Sequence, residues 1–205
     1  MPSNYDNAAW FYDRLSRVVY GKALIQAQTH FLHTIPQNSN VLIAGGGSGM
    51  LLEAIARIHP SGLQIAYVEL SEKMMALAKK RNTAGNKVSY INQPVEDAGL
   101  TQEFDVVISP FLLDSLSPVN FIKVFAAMDA LLKPGCLWLN TDFQLNGKWW
   151  QKPLLKSMYF FFRLLGCVET AELPDMAAYF AVKGYNEIER KLFFGDFIAA
   201  GVYRK

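Results

Sequence analysis

The chain has 205 residues, of which 51% are hydrophobic and 19% are charged, so it can bury one sizeable core and is not expected to be disordered. Lysine and arginine number 20 against 18 aspartates and glutamates, and this near balance excludes a strong overall positive field of the kind that holds nucleic acid. We therefore expect one folded domain with no nucleic-acid partner.

The N-terminal segment has helical character and carries Tyr5, Trp10 and Tyr12. Its first residues, MPSNYDNAAW, lack the basic and then apolar pattern of a signal peptide. The most apolar later run, residues 158–168, is interrupted by a charge and is too short to span a bilayer, so we expect a cytoplasmic protein. The N-terminal segment either packs against the domain or covers its binding site as a lid, and both interpretations stay open.

Neither the histidines near the N-terminus nor the two cysteines form a pattern that indicates chemistry. Apolar residues recur at helical spacing over residues 24–35, which places His30 and His33 on or near the opposite, solvated face. Cys136 and Cys167 show no metal-ligand spacing and no C-x-x-C pattern, so we expect two reduced, largely buried thiols and no bound metal.

Through the middle of the chain, apolar runs alternate with helix-period segments. The predicted strands are residues 41–44, 63–68, 88–91, 106–108 and 137–139, and the helical segments lie near 48–58, 72–82 and 119–132. This alternation predicts a parallel sheet with helices on both faces. At the end of the chain, residues 187–194 and 197–204 are joined by only two residues, which predicts an antiparallel pair at one side of the sheet.

The first predicted strand ends in a glycine-rich turn, GGGSG at residues 45–49, which opens a helix. The missing side chains let a ligand lie against the turn, where N–H groups at the helix start can donate to it. The structural alternative is a tight turn that needs glycine only for positive φ. At 20 residues after Gly49, Glu69 closes the next strand, where its carboxylate can accept two hydrogen bonds from a ribose diol. Together, the two features indicate an adenosine-containing cofactor.

The spacing of the motifs distinguishes between such cofactors. The nicotinamide fingerprint G-x-G-x-x-G fails because Met50 stands at its third glycine. Instead, IAGGGSG at residues 43–49 resembles the first motif of the class I S-adenosylmethionine-dependent methyltransferases. VELSEKMMALAKKR, FDVVISPFLLDSL and LLKPGCLWL resemble the second motif and the segments around the fourth and fifth strands. The opening YDNAAWFYD and the closing GDFIAAGVYRK look most like the branch that methylates quinones, phospholipids and other small or lipid acceptors.

The resemblance implies a Rossmann-like, doubly wound α/β fold with seven strands, mostly parallel with an antiparallel C-terminal hairpin. It implies one domain over residues 1–205, divided into an N-terminal helical cap or lid at 1–35, a cofactor-binding core at 36–143, a helical substrate-side insertion at 144–184 and the hairpin at 185–205. The implied cofactor is S-adenosyl-L-methionine, and its product is S-adenosyl-L-homocysteine. The implied cofactor-binding residues are Ala44, Gly45, Gly46, Gly47, Gly49, Glu69, Leu70, Met74, Val95, Glu96, Ser109, Pro110 and Phe111.

The sequence departs from the family pattern at several positions. Ile43 replaces the usual acid of the first motif, and Gln93 and Pro94 stand where many members carry Gly-Asp beside the adenine. Glu96 or Asp97 could reach the adenine instead, or could be only a charged loop. Asp114 occupies a loop position where the small-molecule branch often has histidine, which removes the usual base from that position.

A methyltransferase has to align its nucleophile with an already electrophilic methyl group and exclude water. An amine or a phenolate acceptor therefore needs no general base. If the acceptor is a hydroxyl, Asp114, Tyr5 or Tyr12 could help to deprotonate it. For Asp114, the alternative is a structural role as the N-cap or loop acid of the following helix.

Aromatic residues concentrate in WWQKPLLKSMYFFFRLL, residues 149–165. Helical spacing assigns six of its apolar residues to the core: Leu154, Leu155, Met158, Phe161, Phe162 and Leu165. The predicted substrate-contacting residues are Trp10, Trp149, Trp150 and Phe160. Aromatic surface beside basic residues suits an apolar acceptor or peripheral membrane contact, and a homodimer contact or helix seam is the alternative.

The predicted function is methyl transfer to a small or lipid-like acceptor. A non-catalytic module that binds S-adenosylmethionine or an adenine nucleotide stays open, since such a module would keep the glycine turn and Glu69. An RNA or protein methyltransferase also stays open, although the loop SPFL lacks the pattern often used to hold a planar amine. A nicotinamide oxidoreductase is disfavoured by Met50.

Overall fold

The computed structural model describes Asp6, residues 19–170 and residues 172–205. In this part of the chain, seven strands form one sheet with the order β3-β2-β1-β4-β5-β7-β6. The strands are β1 Asn40–Ala44, β2 Ser61–Val68, β3 Gly85–Ile91, β4 Phe104–Pro110, β5 Leu132–Phe143, β6 Asn186–Phe193 and β7 Ile198–Arg204. Neighbours from β3 to β5 pair in parallel, and β7 runs antiparallel to both β5 and β6. The predicted fold, mostly parallel with an antiparallel C-terminal hairpin, is confirmed.

Helices cover both faces of this sheet. They are α1 Ala23–Thr29, α2 Met50–Ile58, α3 Glu72–Ala78, α4 Pro118–Asp129, α5 Gln151–Leu164 and α6 Met176–Val182, and short 3-10 turns cover Leu32–Thr34, Val95–Asp97 and Leu113–Ser115. Successive residues of β1 point to opposite faces, so Ile43 packs with α2 and α3 while Leu42 packs with α4 and α6. The sheet is therefore buried on two sides, as a doubly wound fold requires.

Helix starts follow local capping chemistry. The Ser71 hydroxyl accepts from the Met74 N–H at 3.1 Å and caps the start of α3. Ser117 caps α4, and Pro118 occupies its first turn. The suggestion that Asp114 caps this helix is therefore wrong, because Asp114 lies in the preceding 3-10 turn and is buried.

The two histidines near the N-terminus and the two cysteines lie where the sequence predicts. His30 and His33 are exposed, and Cys136 and Cys167 are free and buried. Within the described residues, no helix has the length and apolar character needed to cross a membrane. The same residues contain no cluster of three or more potential metal ligands. Tyr5, Trp10 and Tyr12 lie outside the described residues.

Candidate functional site

A cleft opens at the carboxyl edge of the sheet, beside the ends of the adjacent strands β1 and β4, where the strand order reverses direction. We call it the edge cleft. Among the residues predicted to bind the cofactor, those that line it are Gly45, Gly46, Gly47, Glu69, Leu70, Met74, Val95, Glu96, Pro110 and Phe111. The topology therefore brings together residues from three of the four sequence motifs and from the segment after β3.

Three predicted residues do not line the edge cleft. Ala44 is buried in the sheet, and Ser109 is fully buried, where its hydroxyl donates to Asn140 at 2.7 Å and accepts from the Trp138 indole at 2.8 Å. A Cβ on Gly49 would lie 2.6 Å from the Ala78 Cα, so this glycine lets α2 and α3 approach each other. These three residues therefore contribute to the packing around the cleft and do not line it.

The glycines of the turn have different reasons to lack a side chain. A Cβ on Gly46 would lie 2.3 Å from the Tyr67 ring, and the Tyr67 hydroxyl donates to the Gly47 carbonyl at 2.8 Å. Gly47 has a φ of 63°, but nothing lies within 4 Å of the position its Cβ would take. Gly47 therefore presents bare backbone to open space in the edge cleft, where a ligand can approach closely.

Glu69 is joined to this turn by its carboxylate. One carboxylate oxygen accepts from the Gly47 N–H at 2.8 Å, and the other accepts from the Ser71 N–H at 2.8 Å. Burial raises the pKa of Glu69, while its backbone N–H partners act in the opposite direction. Each carboxylate oxygen can accept more than one hydrogen bond, so the fixed carboxylate keeps capacity for a ligand donor in the cleft.

The far end of the edge cleft is formed after β3. Gln93, Pro94, Val95 and Glu96 line it, whereas Asp97 is exposed and does not. Glu96 also pairs with Lys123 of α4 at 3.4 Å, which fixes its carboxylate at the cleft. Of the two acids considered for this end, the structure brings only Glu96 to the cleft.

Ile43, which replaces the usual first-motif acid, is completely buried in the core that contacts α2 and α3. Its side chain fills apolar space and is not part of the cleft lining. The isoleucine that replaces the acid therefore adds apolar packing on that face of β1.

A second cavity of about 210 Å³ adjoins the edge cleft and shares Leu24, Phe111 and Ser115 with it. We call it the aromatic cavity. Its other lining residues are Val19, Tyr20, Asp114, Phe143, Leu154, Ser157, Met158, Tyr159, Phe161, Phe162 and Val168. Phe111 forms part of both walls with a φ of 52°, a conformation that bulky side chains rarely adopt.

Asp114 and Asp142 form a pair of carboxyl groups at the aromatic cavity. They are 3% and 2% exposed, and Asp114 lines the cavity. Within the described residues, neither carboxylate oxygen of Asp142 has a hydrogen-bond partner. Burial raises the pKa of Asp114 to about 7, and burial together with the charge of Asp114 raises the pKa of Asp142 well above its ordinary range.

The predicted substrate residues of the aromatic segment lie elsewhere. Trp149 and Phe160 are 86% and 68% exposed, and Trp150 packs against the rings of Phe194 and Phe197. None of the three lines the edge cleft or the aromatic cavity.

Helix α5 contributes to the aromatic cavity through Leu154, Met158, Phe161 and Phe162, which the sequence assigned to the core. The assignment is wrong for Phe161, which is 40% exposed because this face of α5 borders a cavity rather than a packed layer.

Sequence reasoning missed several residues of the site. Leu24, Ile25 and Gln28 on α1 and Asn120 and Val124 on α4 line the edge cleft without belonging to any motif. Asp142 was also missed, and the only signal for it was a charged residue inside the apolar run CLWLNTDF.

Comparisons with known proteins agree with this geometry. Residues 41–135 match the methyltransferase domain family. The chain is 33% identical over 104 residues to the ubiquinone biosynthesis O-methyltransferase of Xanthomonas axonopodis pv. citri (strain 306), covering 49% of this chain and 41% of that protein. It is 32% identical over 111 residues to protein arginine N-methyltransferase 6 of Xenopus tropicalis, covering 52% of this chain and 32% of that protein. The chain thus spans less than half the length of either curated relative.

Among solved structures, the chain resembles the Burkholderia thailandensis 1,6-didemethyltoxoflavin-N1-methyltransferase, which was crystallised with 1,6-didemethyltoxoflavin and S-adenosylhomocysteine. The TM-score is 0.65 at 18% identity, and the match covers 97% of this chain and 88% of that chain. This likeness extends the agreement in fold over almost the whole sequence.

Proposed function

We propose that this chain is a class I S-adenosylmethionine-dependent methyltransferase and that it transfers a methyl group from S-adenosylmethionine to a small or lipid-like acceptor. S-adenosylmethionine would supply a methyl group that its sulfonium makes electrophilic. The task left to the protein is to hold the two reactants in line and to keep water away.

The observation that carries the proposal is the hydrogen bond between the Gly47 N–H and the Glu69 carboxylate at the edge cleft. Gly47 presents backbone without a side chain to the edge cleft, and its N–H group fixes the Glu69 carboxylate at the same edge. In our proposal Glu69 receives the ribose hydroxyls, and the bare turn lies against the amino-acid part of the cofactor. Val95 and Glu96 line the cleft after β3, and in our proposal they border the adenine.

The aromatic cavity supports a small or lipid-like acceptor over a nucleic acid or a protein. Its walls are mostly aromatic and aliphatic, and its volume of about 210 Å³ exceeds that of a cavity that holds benzene, about 150 Å³. It shares a wall with the edge cleft at Phe111, so an acceptor there would lie beside the bound cofactor. The orientation imposed by the two cavities is the main catalytic contribution of the chain.

A calorimetric binding panel tests the cofactor half of the proposal. S-adenosylmethionine and S-adenosylhomocysteine should bind, whereas NAD and ATP should bind at least tenfold more weakly or not at all, because the turn lacks the nicotinamide spacing. Preferential binding of NAD or ATP would contradict the proposal.

A further inference from the structure

Among the described residues, no lysine, arginine or histidine acts on the pKa of the Asp114 and Asp142 carboxyl groups. The ionisable groups that interact with the pair in the described residues are Tyr20, Tyr159 and Tyr203, and burial raises the pKa of each above its ordinary value. All three are therefore neutral phenols at ordinary pH.

The 3-10 turn that carries Asp114 contacts β5, which carries Asp142, and each carboxyl group acts on the pKa of the other. Two buried carboxylates that interact in this way cannot both be ionised at low cost, so the stable arrangement is one proton shared between two groups. The pair then carries a single negative charge in an apolar cavity. Buried polar groups in native proteins almost always have partners. The Asp142 oxygens accept no hydrogen bond from a donor group in the described residues, and the shared proton makes the Asp114 carboxyl their partner.

The other polar groups of the aromatic cavity are already engaged. The Tyr20 hydroxyl donates to the Met158 sulfur at 3.0 Å, and the Tyr159 hydroxyl donates to the backbone carbonyl of Asp114 at 2.8 Å. Of the described residues that line the cavity, Asp114 alone has an ionisable acid or base as its side chain besides the two tyrosines. An ionised carboxylate can only accept hydrogen bonds, so a ligand that satisfies it must bring a donor.

We propose that the Asp114 and Asp142 pair accepts the proton of a hydroxyl group on a neutral, ring-shaped methyl acceptor that lies in the aromatic cavity. This inference rests on the proposed function and names its acceptor class. As the acceptor reacts, its O–H bond breaks, the proton moves to the Asp114 carboxylate, and the electron pair stays on the acceptor oxygen. Asp114 is the catalytic residue, and Asp142 is a positioning residue that holds the shared proton and sets the basicity of Asp114.

A neutral hydroxyl fits this cavity better than an ammonium group. Moving an ammonium ion from water into an apolar cavity costs several kcal/mol, which one shared negative charge recovers only with excellent geometry. A hydroxyl costs less to desolvate, and its O–H···O⁻ bond to the pair is of the strong, charge-assisted kind. The aromatic walls provide stacking and edge contacts for a planar ring.

The ionisation of the pair also suits a base. A general base works best when its pKa is near the operating pH, and burial raises the pKa of Asp114 to about 7. The pair should therefore be ready to accept a proton above neutral pH and should lose this ability below about pH 6.

Ligand binding can test the inference without any activity measurement. With S-adenosylhomocysteine present, calorimetry would compare 2-naphthol, naphthalene and 1-naphthylmethylamine as probes. We expect 2-naphthol to bind roughly 10- to 100-fold more tightly than naphthalene at pH 8, from one charge-assisted hydrogen bond, and more tightly than the cationic amine. The preference for 2-naphthol should decrease below pH 6, a result that needs no variant.

Three variants test whether the preference for 2-naphthol depends on Asp114 and Asp142. Asp114→Asn should reduce the naphthol preference to about threefold or less, and Asp142→Asn should move its pH midpoint lower, because an amide donor stabilises ionised Asp114. Glu103→Gln, an exposed control outside both cavities, should change neither. Infrared spectra should show a protonated buried carboxyl group at pH 6 in the unmodified protein, with a weaker signal in both aspartate variants.

The inference is overturned if naphthalene binds as well as 2-naphthol, if neither probe binds, if the cationic amine binds most tightly, or if the infrared signal is absent. Each of these results, with S-adenosylhomocysteine still binding, would leave the proposed function intact. Failure of the unmodified protein to bind S-adenosylhomocysteine would instead contradict the proposed function itself.

Discussion

At the scale of single residues, Gly47 connects the turn after β1 to the end of β2. Its N–H donates to Glu69, and its carbonyl accepts from Tyr67, so both polar groups of one residue are held by the neighbouring strand. The space in front of Gly47 is open. The same residue is thus fixed by the protein on one side and available to a ligand on the other.

Removing the Glu69 carboxylate should weaken cofactor binding. We predict that Glu69→Ala lowers the affinity for S-adenosylhomocysteine by about thirty- to hundredfold, because charge-assisted hydrogen bonds to a charged group contribute roughly 2 to 3 kcal/mol. Calorimetry would measure it beside Glu72→Ala, an exposed acid in the first turn of α3 that should have no effect. Unchanged affinity in a folded Glu69→Ala protein would remove Glu69 from the ribose role.

A side chain at Gly47 should block the cleft. We predict that Gly47→Val abolishes S-adenosylhomocysteine binding, since the valine would occupy the open space in front of the turn. Gly99→Val is a matched control, because Gly99 has the same φ of 63° and open surroundings but does not line the cleft. Both variants carry similar backbone strain, of about 1–2 kcal/mol, so equal binding by the two would mean that Gly47 serves only the turn.

At the scale of elements, the sequence predicted β1 and the two hairpin strands β6 and β7 to within one residue at each end. The apolar centres of β2 and β4 were recognised, but β2 begins two residues earlier than predicted and β4 extends two residues further at both ends. The starts of β3 and β5 were missed because β3 is an edge strand with polar residues and the first residues of β5 are partly exposed. The four-part division of the chain stays a prediction.

The two parts of the candidate site also differ in how well the sequence predicted them. The edge cleft follows motifs that are local in sequence, so Gly47, Glu69 and Glu96 could be recognised from the sequence. The aromatic cavity is assembled by tertiary packing of α1, α5 and the loop after β4, and no spacing connects Asp114 with Asp142 along the chain. Periodicity identified an apolar face on α5, but it could not show that this face borders a cavity.

The N-terminal segment gives a prediction at this scale. Asp6 accepts from the Ser71 hydroxyl at 2.5 Å and from the Lys73 N–H at 3.2 Å, so this residue contacts the chain just beyond Glu69. We predict that removing residues 1–15 leaves S-adenosylhomocysteine affinity within severalfold but abolishes methyl transfer, because a lid contributes alignment and water exclusion. Calorimetry and a labelled-methyl assay would check the two parts, and retained transfer would contradict a lid.

At the scale of the whole molecule, the buried carboxyl pair links stability to pH. The pKa values of Asp114 and Asp142 are raised in the folded state, so folding favours their protonated forms. The stability that this provides is fully present below about pH 4 and is lost as the pH rises through about 7. Between pH 5 and pH 8 the Asp114 pKa of about 7, against about 3.9 in the unfolded chain, corresponds to about 2 to 3 kcal/mol. We therefore predict that the Tm falls by about 5–10 °C over this range.

Thermal unfolding of variants would isolate this contribution. Asp142→Asn should have a flatter dependence of Tm on pH than the unmodified protein, because it removes one buried carboxyl group and its unpartnered oxygens. Glu103→Gln should follow the unmodified protein. Identical pH dependence in all three proteins would show that the pair does not titrate in this range.

The edge cleft and the aromatic cavity share Phe111, so the proposed cofactor site and the proposed acceptor site adjoin each other. The most direct test of methyl transfer to a small acceptor is an assay with S-adenosylmethionine labelled in its methyl group. The panel would contain quinols, phenols, amines and phospholipids, with tRNA and protein as competing acceptors. We predict label transfer to at least one small or lipid acceptor, abolished by Gly47→Val and retained by Gly99→Val. Transfer only to tRNA or protein, or no transfer by a protein that binds the cofactor, would contradict the account.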